Sequence, residues 1–135
     1  MTIKEIETLS GLPRANIRYY EAEGLITPRR AENGYRDYSQ ADADTLLRIK
    51  LLRALGLTIE QLKTLACGEA ALDAVLAERL QAMQQEQHAL GRAEQVAEQL
   101  RQAKVDYQTL DAERYLAELE NGMPAALQQD VQPKQ

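Results

Sequence analysis

The sequence predicts a mainly helical protein: a group of short helices interrupted by one small β-hairpin, followed by a single long helix. Three observations carry this. Helix-capping residues recur at short intervals through the first half of the chain. A lone Asn33-Gly34 pair marks a reversal between two short segments able to extend. From Glu69 to about Lys104 there is no proline and one glycine, Gly91.

The elements follow in order. Thr2 and Glu5 have the spacing of a capping box, with Ile3, Ile6 and Leu9 as an apolar stripe behind it. Gly11 ends that helix, and Pro13 suits the first turn of a second helix running from about Pro13 to Glu23 and stopping at Gly24. Two short helices joined by a tight glycine-containing turn form the general helix-turn-helix pattern. Asn33-Gly34 then predicts a two-residue hairpin turn. Ser39 and Asp42 open a third helix with Leu46, Leu47, Ile49, Leu51, Leu52 and Leu55 as apolar positions, closed by Gly56. Thr58 and Gln61 cap a fourth, ending near Gly68.

The long segment carries a 4-3 spaced series, Leu72, Leu76, Arg79, Met83, Glu86, Leu90, Ala93, Ala97, Leu100, Lys104 and Tyr107. Beside it Val75, Ala82, Ala89, Val96 and Ala103 repeat every seventh residue. A helix about 50 Å long at 1.5 Å per residue has no core of its own, so the pattern predicts a partner helix. Arg79, Glu86 and Lys104 interrupt the apolar seam, and Gly91 costs about 1 kcal/mol against alanine. Asp111 is placed to cap one more short helix bearing Tyr115, Leu116 and Leu119, ended by Asn121-Gly122 and Pro124. The glutamine-rich stretch 124–135 reads as a disordered tail. The expected organisation is therefore a domain over 1–68, a coil helix over 69–107, a short helix over 108–123, and the tail.

Composition narrows the function. With no Trp and no Phe, the core must be aliphatic. No apolar run reaches the length of a membrane span, and the N-terminus lacks a signal-peptide pattern, so a cytoplasmic protein without membrane contact is expected. The single cysteine, Cys67, fits a reducing compartment. The net charge of −5 at first argues against nucleic acid, but it is unevenly spread. Residues 1–58 hold nine Lys/Arg against eight Asp/Glu, whereas residues 59–135 hold seven against thirteen. The acidity belongs to the second half, leaving the first free to carry a basic surface.

That surface has a recognisable composition. Arg14, Arg18, Tyr19 and Tyr20 fall within two turns of the second helix, and Arg29, Arg30, Tyr35, Arg36 and Tyr38 surround the hairpin. Arginine forks and tyrosine hydroxyls are suited to phosphate oxygens, and two such groups on adjacent elements can grip one strand of a duplex. The other reading of the same residues is a solvated basic face with Tyr19 or Tyr20 packed in a small core.

The run Ile-Arg-Tyr-Tyr-Glu from Ile17 to Glu21, then Gly24-Leu25-Ile26, then Gly34, Tyr35, Arg36 and Tyr38, resembles the signature of the MerR family of bacterial regulators. The resemblance covers about residues 1–68. It implies a winged helix-turn-helix DNA-binding domain, with the helix from Pro13 as the recognition helix and the hairpin as the wing. It also implies that the long helix is an antiparallel dimerisation coil. By the same resemblance the protein is a homodimer on a palindromic operator in double-stranded promoter DNA, working with RNA polymerase. An unknown small-molecule effector would shift the dimer, and the spacer DNA would be distorted at a cost on the order of 1–6 kcal/mol. Two positions depart from the family pattern: Pro13 stands where a Ser cap is common, and Asn16 where a Thr precedes Ile-Arg. Asn16 is read as a contact to a base edge, since its amide pairs well with adenine in the major groove.

Other features are weaker. Metal-sensing relatives place thiolates beyond the coil, and here no cysteine or histidine follows His88, so no metal and no cofactor are expected. Cys67 at a helix end is read as a buried structural thiol rather than a sensor. His88 is read as a solvated coil residue. Effector capture in the family occurs near the end of the coil, where Tyr107, Tyr115 and Leu116 are the nearest equivalents; the alternative is that they only pack the terminal helix. A DNA-binding module without effector response remains a second reading. With one His, one Cys and no phosphate-cradling glycine loop, an enzyme is not expected.

Overall fold

The computed structural model describes residues 1–119. The expected stop at Asn121-Gly122 and Pro124, and the tail, lie outside them. The elements run α1 (Ile3–Ser10), α2 (Arg14–Ala22), β1 (Arg29–Arg30), β2 (Arg36–Asp37), α3 (Gln40–Ala54), α4 (Ile59–Ala66), α5 (Leu72–Ala103), a 3-10 turn (Tyr107–Thr109) and α6 (Ala112–Glu118). The chain divides into two compact units, Met1–Leu80 and a second from Gln81 onward.

Three helices of the first unit begin on reciprocal capping boxes. Thr2 with Glu5 starts α1, Ser39 with Asp42 starts α3, and Thr58 with Gln61 starts α4. Each side-chain oxygen takes one otherwise unpaired amide of the first turn, a contribution of about 1 kcal/mol. Pro13 lies one position outside the helix expected to include it, extended at ψ 149° with α2 starting at Arg14. Proline has no cap of its own to offer there. The Glu7 carboxylate of α1 replaces it, accepting from the Arg14 backbone N–H at 2.9 Å.

The hairpin differs from the expected two-residue turn. β1 and β2 pair antiparallel as Arg29↔Asp37 and Arg30↔Arg36. Beyond them Ala31 N–H donates to the Tyr35 carbonyl at 2.8 Å, and Gly34 N–H to the Ala31 carbonyl at 2.9 Å. Gly34 has φ +85°, while Asn33 keeps a negative φ. This is a β-turn over Ala31–Gly34 followed by one left-handed residue, a three-residue loop that requires positive φ only at glycine. Asn33 Oδ1 accepts from Tyr35 N–H at 3.1 Å, spending the Asn side chain on the turn itself.

The core of the first unit is aliphatic with two tyrosines: Ile6, Leu12, Ile17, Tyr20, Ile26, Tyr38, Ala43, Leu46, Ile49, Leu52, Leu57, Leu62 and Val75. Of the apolar positions on α3, Leu46, Ile49 and Leu52 are buried, whereas Leu47, Leu51 and Leu55 remain exposed. The first turns of α5 take part through Val75 and Leu76. Arg79, a polar interruption of the coil pattern, donates Nε–H to the Leu55 carbonyl at 2.8 Å and so closes the C-terminus of α3.

The second unit has little core. Among its described residues, the buried apolar side chains are Val96 on α5 and Tyr115 on α6. The Arg92 guanidinium holds α6 by donating to the Leu119 carbonyl at 3.2 Å. The long helix ends at Ala103 because Lys104 turns left-handed, at φ 53°. Tyr107, expected to extend the coil series, is carried into the following 3-10 turn. No helix among the described residues is long and apolar enough to cross a membrane.

Candidate nucleic-acid interface

The α1–turn–α2 pair is held by the buried Ser10. Its Oγ accepts from Leu12 N–H at 3.2 Å, and its carbonyl accepts from Lys50 Nζ of α3 at 3.1 Å. Ile17 and Tyr20 point α2 into the core. The opposite side of that helix is therefore outward, and it carries Arg14, Asn16, Arg18 and Tyr19, all exposed. The Tyr19 ring leans on Tyr20 with centroids 5.7 Å apart.

The hairpin presents Arg29, Arg30 and Tyr35, the last 74% exposed. Arg30 Nη1 donates to the Gly34 carbonyl at 3.2 Å, bracing the loop. Arg36 is half-buried. Its Nε–H points at the Glu21 carboxylate of α2, 2.7 Å from Oε2 and 3.0 Å from Oε1. The recognition helix and hairpin proposed from sequence are thus joined by one ion pair.

Two expected phosphate donors are core residues instead. Tyr38 is 1% exposed and its hydroxyl has no hydrogen-bond partner among the described residues, while Tyr20 is also buried. Tyr38 follows β2 and packs inward where the chain enters α3, and Tyr20 lies on the inner side of α2 with Ile17. Burial, then the nearby Glu21 carboxylate, pushes the Tyr38 hydroxyl pKa up. A neutral, enclosed hydroxyl of this kind presents nothing to a phosphate oxygen.

Sequence reasoning missed the acidic partners. Glu7 binds the Arg14 guanidinium through Nε at 3.1 Å and Nη2 at 2.9 Å. That bonding, then the backbone amide of Arg14, holds the Glu7 carboxyl below its usual range despite a smaller opposing desolvation. Glu23, at the end of α2, meets Lys63 of α4 at 2.5 Å, and the bond raises the Lys63 pKa. These pairs span 7, 15 and 40 residues, so no local spacing announces them.

Cys67, expected to be a buried structural thiol, is exposed. It is the residue after the last turn of α4, with Sγ 3.5 Å from the Thr64 carbonyl. Leu62 supplies the buried contact of that helix. The residues read as an effector region are not gathered in one place. Tyr107 is 88% exposed and borders a shallow depression with Leu100, Arg101, Val105, Asp106 and Leu110. Tyr115 is buried on α6 under the Arg114 guanidinium, 5.3 Å from the ring centroid, and Leu116 is exposed.

A short helix held against a second by a tight turn, with a small hairpin carried beside it and both bearing exposed arginines, defines a helix-turn-helix domain with a β-hairpin wing. Residues 1–68 match the family model described as the MerR helix-turn-helix family of regulatory proteins, and the chain belongs to that family. It is 46% identical over 65 residues to the HTH-type transcriptional regulator HmrR of Rhizobium leguminosarum bv. viciae, covering 48% of this chain and 50% of the relative. Over 70 residues it is 39% identical to the regulator CueR of Salmonella typhi, covering 51% of this chain and 47% of that protein. The chain spans about half the length of the curated relatives it matches. Among solved structures, it resembles the lead(II) complex of the transcription regulator PbrR691 from Ralstonia metallidurans CH34. The TM-score is 0.67 at 26% identity, over 81% of this chain and 91% of that one.

Proposed function

We propose that the chain is a transcription regulator that binds a palindromic operator in double-stranded promoter DNA as a homodimer. In this reading it activates RNA polymerase by distorting the spacer when an effector binds. The observation that carries the DNA-binding part is the outward row Arg14, Asn16, Arg18 and Tyr19 on α2, joined through Glu21–Arg36 to a hairpin bearing Arg29, Arg30 and Tyr35. Arg18 and Arg36 serve as backbone contacts, and Asn16 meets a base edge. Pairing is supported by the apolar strip of α5, where Leu72 and Leu90 stay exposed in the single chain. With no partner helix, that strip would be a long hydrophobic surface facing water.

The lead(II) complex of PbrR691 directs attention to metals, but the donor set does not fit a soft-metal sensor. The whole sequence offers one Cys and one His, and no cluster of three or more His, Cys, Asp or Glu side chains is placed to hold an ion among the described residues. Cys67 takes no part in this scheme, so Cys67→Ser keeps both DNA affinity and the transcriptional response.

The test is selection of bound duplexes from a random pool, followed by titration at several salt concentrations. A palindrome should be enriched. Arg18→Ala should weaken binding to the selected and to unrelated DNA alike and flatten the salt dependence by about one phosphate per half-site. Asn16→Ala should lose roughly 1–3 kcal/mol on the selected operator and little on random DNA. No enriched sequence, with Arg18→Ala binding like wild type, defeats this reading.

A further inference from the structure

We propose that Glu21 is a positioning residue of the DNA-binding face, its carboxylate aiming the Arg36 guanidinium at the phosphate backbone and locking the hairpin to α2. The proposal rests on the DNA-binding reading above and assigns a role that the reading itself does not contain.

The hairpin cannot hold its own position. Its ladder is two residue pairs long, and an isolated two-stranded hairpin is marginal at best in water. Ile26 before it and Tyr38 after it anchor the two ends in the core, and Asp37 of β2 accepts from the Met1 ammonium at 2.8 Å, leaving the remainder of the hairpin to be steered. From the strand residues, one side-chain bond reaches α2 among the described residues, and it is Arg36 to Glu21. Both side chains are partly shielded, at 31% and 19% exposure, so the pair is screened less than a surface ion pair.

The mode of pairing matters more than its strength. An arginine fork usually meets a carboxylate with two parallel N–H groups. Here both Glu21 oxygens converge on Nε, and Nη1 and Nη2 have no hydrogen-bond acceptor among the described residues. The guanidinium is thus fixed at its inner edge while its outer N–H groups remain for a ligand. Arg18 and Arg30 lie close enough to the same spot to act electrostatically on the Tyr38 hydroxyl beneath it, together with Glu21 and Arg36. The cluster is net cationic, with one carboxylate used as an internal support.

The assignment makes an unusual sign prediction. A carboxylate beside phosphates should repel them, so plain electrostatics expects Glu21→Gln to tighten DNA binding. Positioning expects the opposite, because an unsteered arginine must be ordered when DNA binds, at a cost that corresponds to roughly two- to tenfold in affinity. The experiment uses the full chain, a palindromic duplex enriched from a random pool by the wild-type protein, and an unrelated duplex of equal length. Glu21→Gln should bind the palindrome roughly two- to tenfold more weakly with the salt slope preserved, since the same phosphates are still met. Arg36→Ala should lower the slope by about one per half-site, and Glu21→Gln added to it should cost nothing further. Arg36→Lys provides a check that leaves Glu21 intact. An ammonium gathers its donors on one nitrogen and has no planar outer edge, so held at the carboxylate it cannot reach outward as the guanidinium does, and that variant should lose affinity despite keeping its charge. Glu21→Gln binding as well as or better than wild type overturns the proposal. So does an additive loss in the double variant, or an Arg36→Lys protein that binds normally. Binding that ignores Arg36→Ala altogether overturns the role of the hairpin in DNA contact, and the positioning role with it. Thermal melts of each variant identify any loss that comes from unfolding.

Discussion

The two units of this chain solve the problem of apolar surface in opposite ways. The first, Met1–Leu80, encloses its aliphatic residues among four helices, the first turns of α5 and a hairpin, so that Ile6, Ile17, Leu46 and Leu57 are fully buried. The second carries leucine and alanine at regular helical spacing, yet Leu90 is 62% exposed, and Val96 and Tyr115 are its buried apolar side chains among the described residues. A short helix can contribute one side to a shared core. A helix of 32 residues, about 48 Å long, offers a longer stripe, of which Val96 is buried while Leu90 stays exposed among the described residues. The same residue types therefore stabilise the fold in one region and, in the proposed dimer, stabilise assembly in the other.

The sharpest way to break that contrast is to place charge on the strip. Leu90→Glu with Ala97→Glu should turn a dimer into a monomer in sedimentation at micromolar concentration. It should weaken operator binding by roughly a hundredfold or more through loss of bivalency. The melting of the first unit should be unchanged; if the double variant stays dimeric, the strip is not the seam. A matched pair of truncations comes next. Leu46→Ala should cost about 2–5 kcal/mol in urea unfolding because a fully buried side chain leaves a cavity, whereas Leu90→Ala should leave the unfolding of the first unit alone.

Smaller effects test the joints of the first unit. Gly56 has φ +95°, and a Cβ there would come within 2.6 Å of the Arg79 guanidinium, whose Nε–H closes α3 at Leu55. Gly56→Ala should cost on the order of 1–2 kcal/mol from the left-handed backbone alone. Tyr38→Phe should act in the other direction. It removes an enclosed hydroxyl with no partner, so stability should rise by about 1 kcal/mol and DNA affinity should stay as it was. An unchanged or lower stability would show that the hydroxyl is satisfied in solution.

The smallest predicted effect is a pH dependence. The Glu7 carboxyl is held below its ordinary value of 4.5 by Arg14, so its contribution is complete above that value and is lost as pH falls through the lower folded-state pKa. Glu5, lowered by the amide and hydroxyl of Thr2, behaves the same way. Melting temperature should decline below about pH 4.5, and Glu7→Gln should make that decline shallower by slightly lowering the melting temperature at neutral pH, where the contribution is complete, while the two proteins converge at low pH.

Much of this was legible before any coordinates. The capping boxes at Thr2, Ser39 and Thr58 are interactions between residues three apart, so residue identity nearly suffices to place those helix starts. Gly56 and Gly68 stand just past helix ends for the same local reason. The arginines of α2 were visible as residue types, but Tyr20 was grouped with them as a donor, and the spacing of Ile17 and Tyr20 did not by itself show which side of the helix faces inward.

What the sequence determined alone was therefore the order and kind of most elements, the existence of a long apolar strip, and the residue types available at the basic face. Tertiary structure decided which of those residues face outward and which are held. It turned Tyr20 and Tyr38 inward and left Cys67 exposed. It bent the hairpin through Gly34 alone and stopped α5 at Lys104 short of Tyr107. It also supplied Glu7, Glu21 and Glu23 as partners for Arg14, Arg36 and Lys63. The physical reason is range. Caps and turns depend on contacts within a few residues, whereas burial and ion pairing depend on which distant segment arrives alongside, and that is set when the core closes.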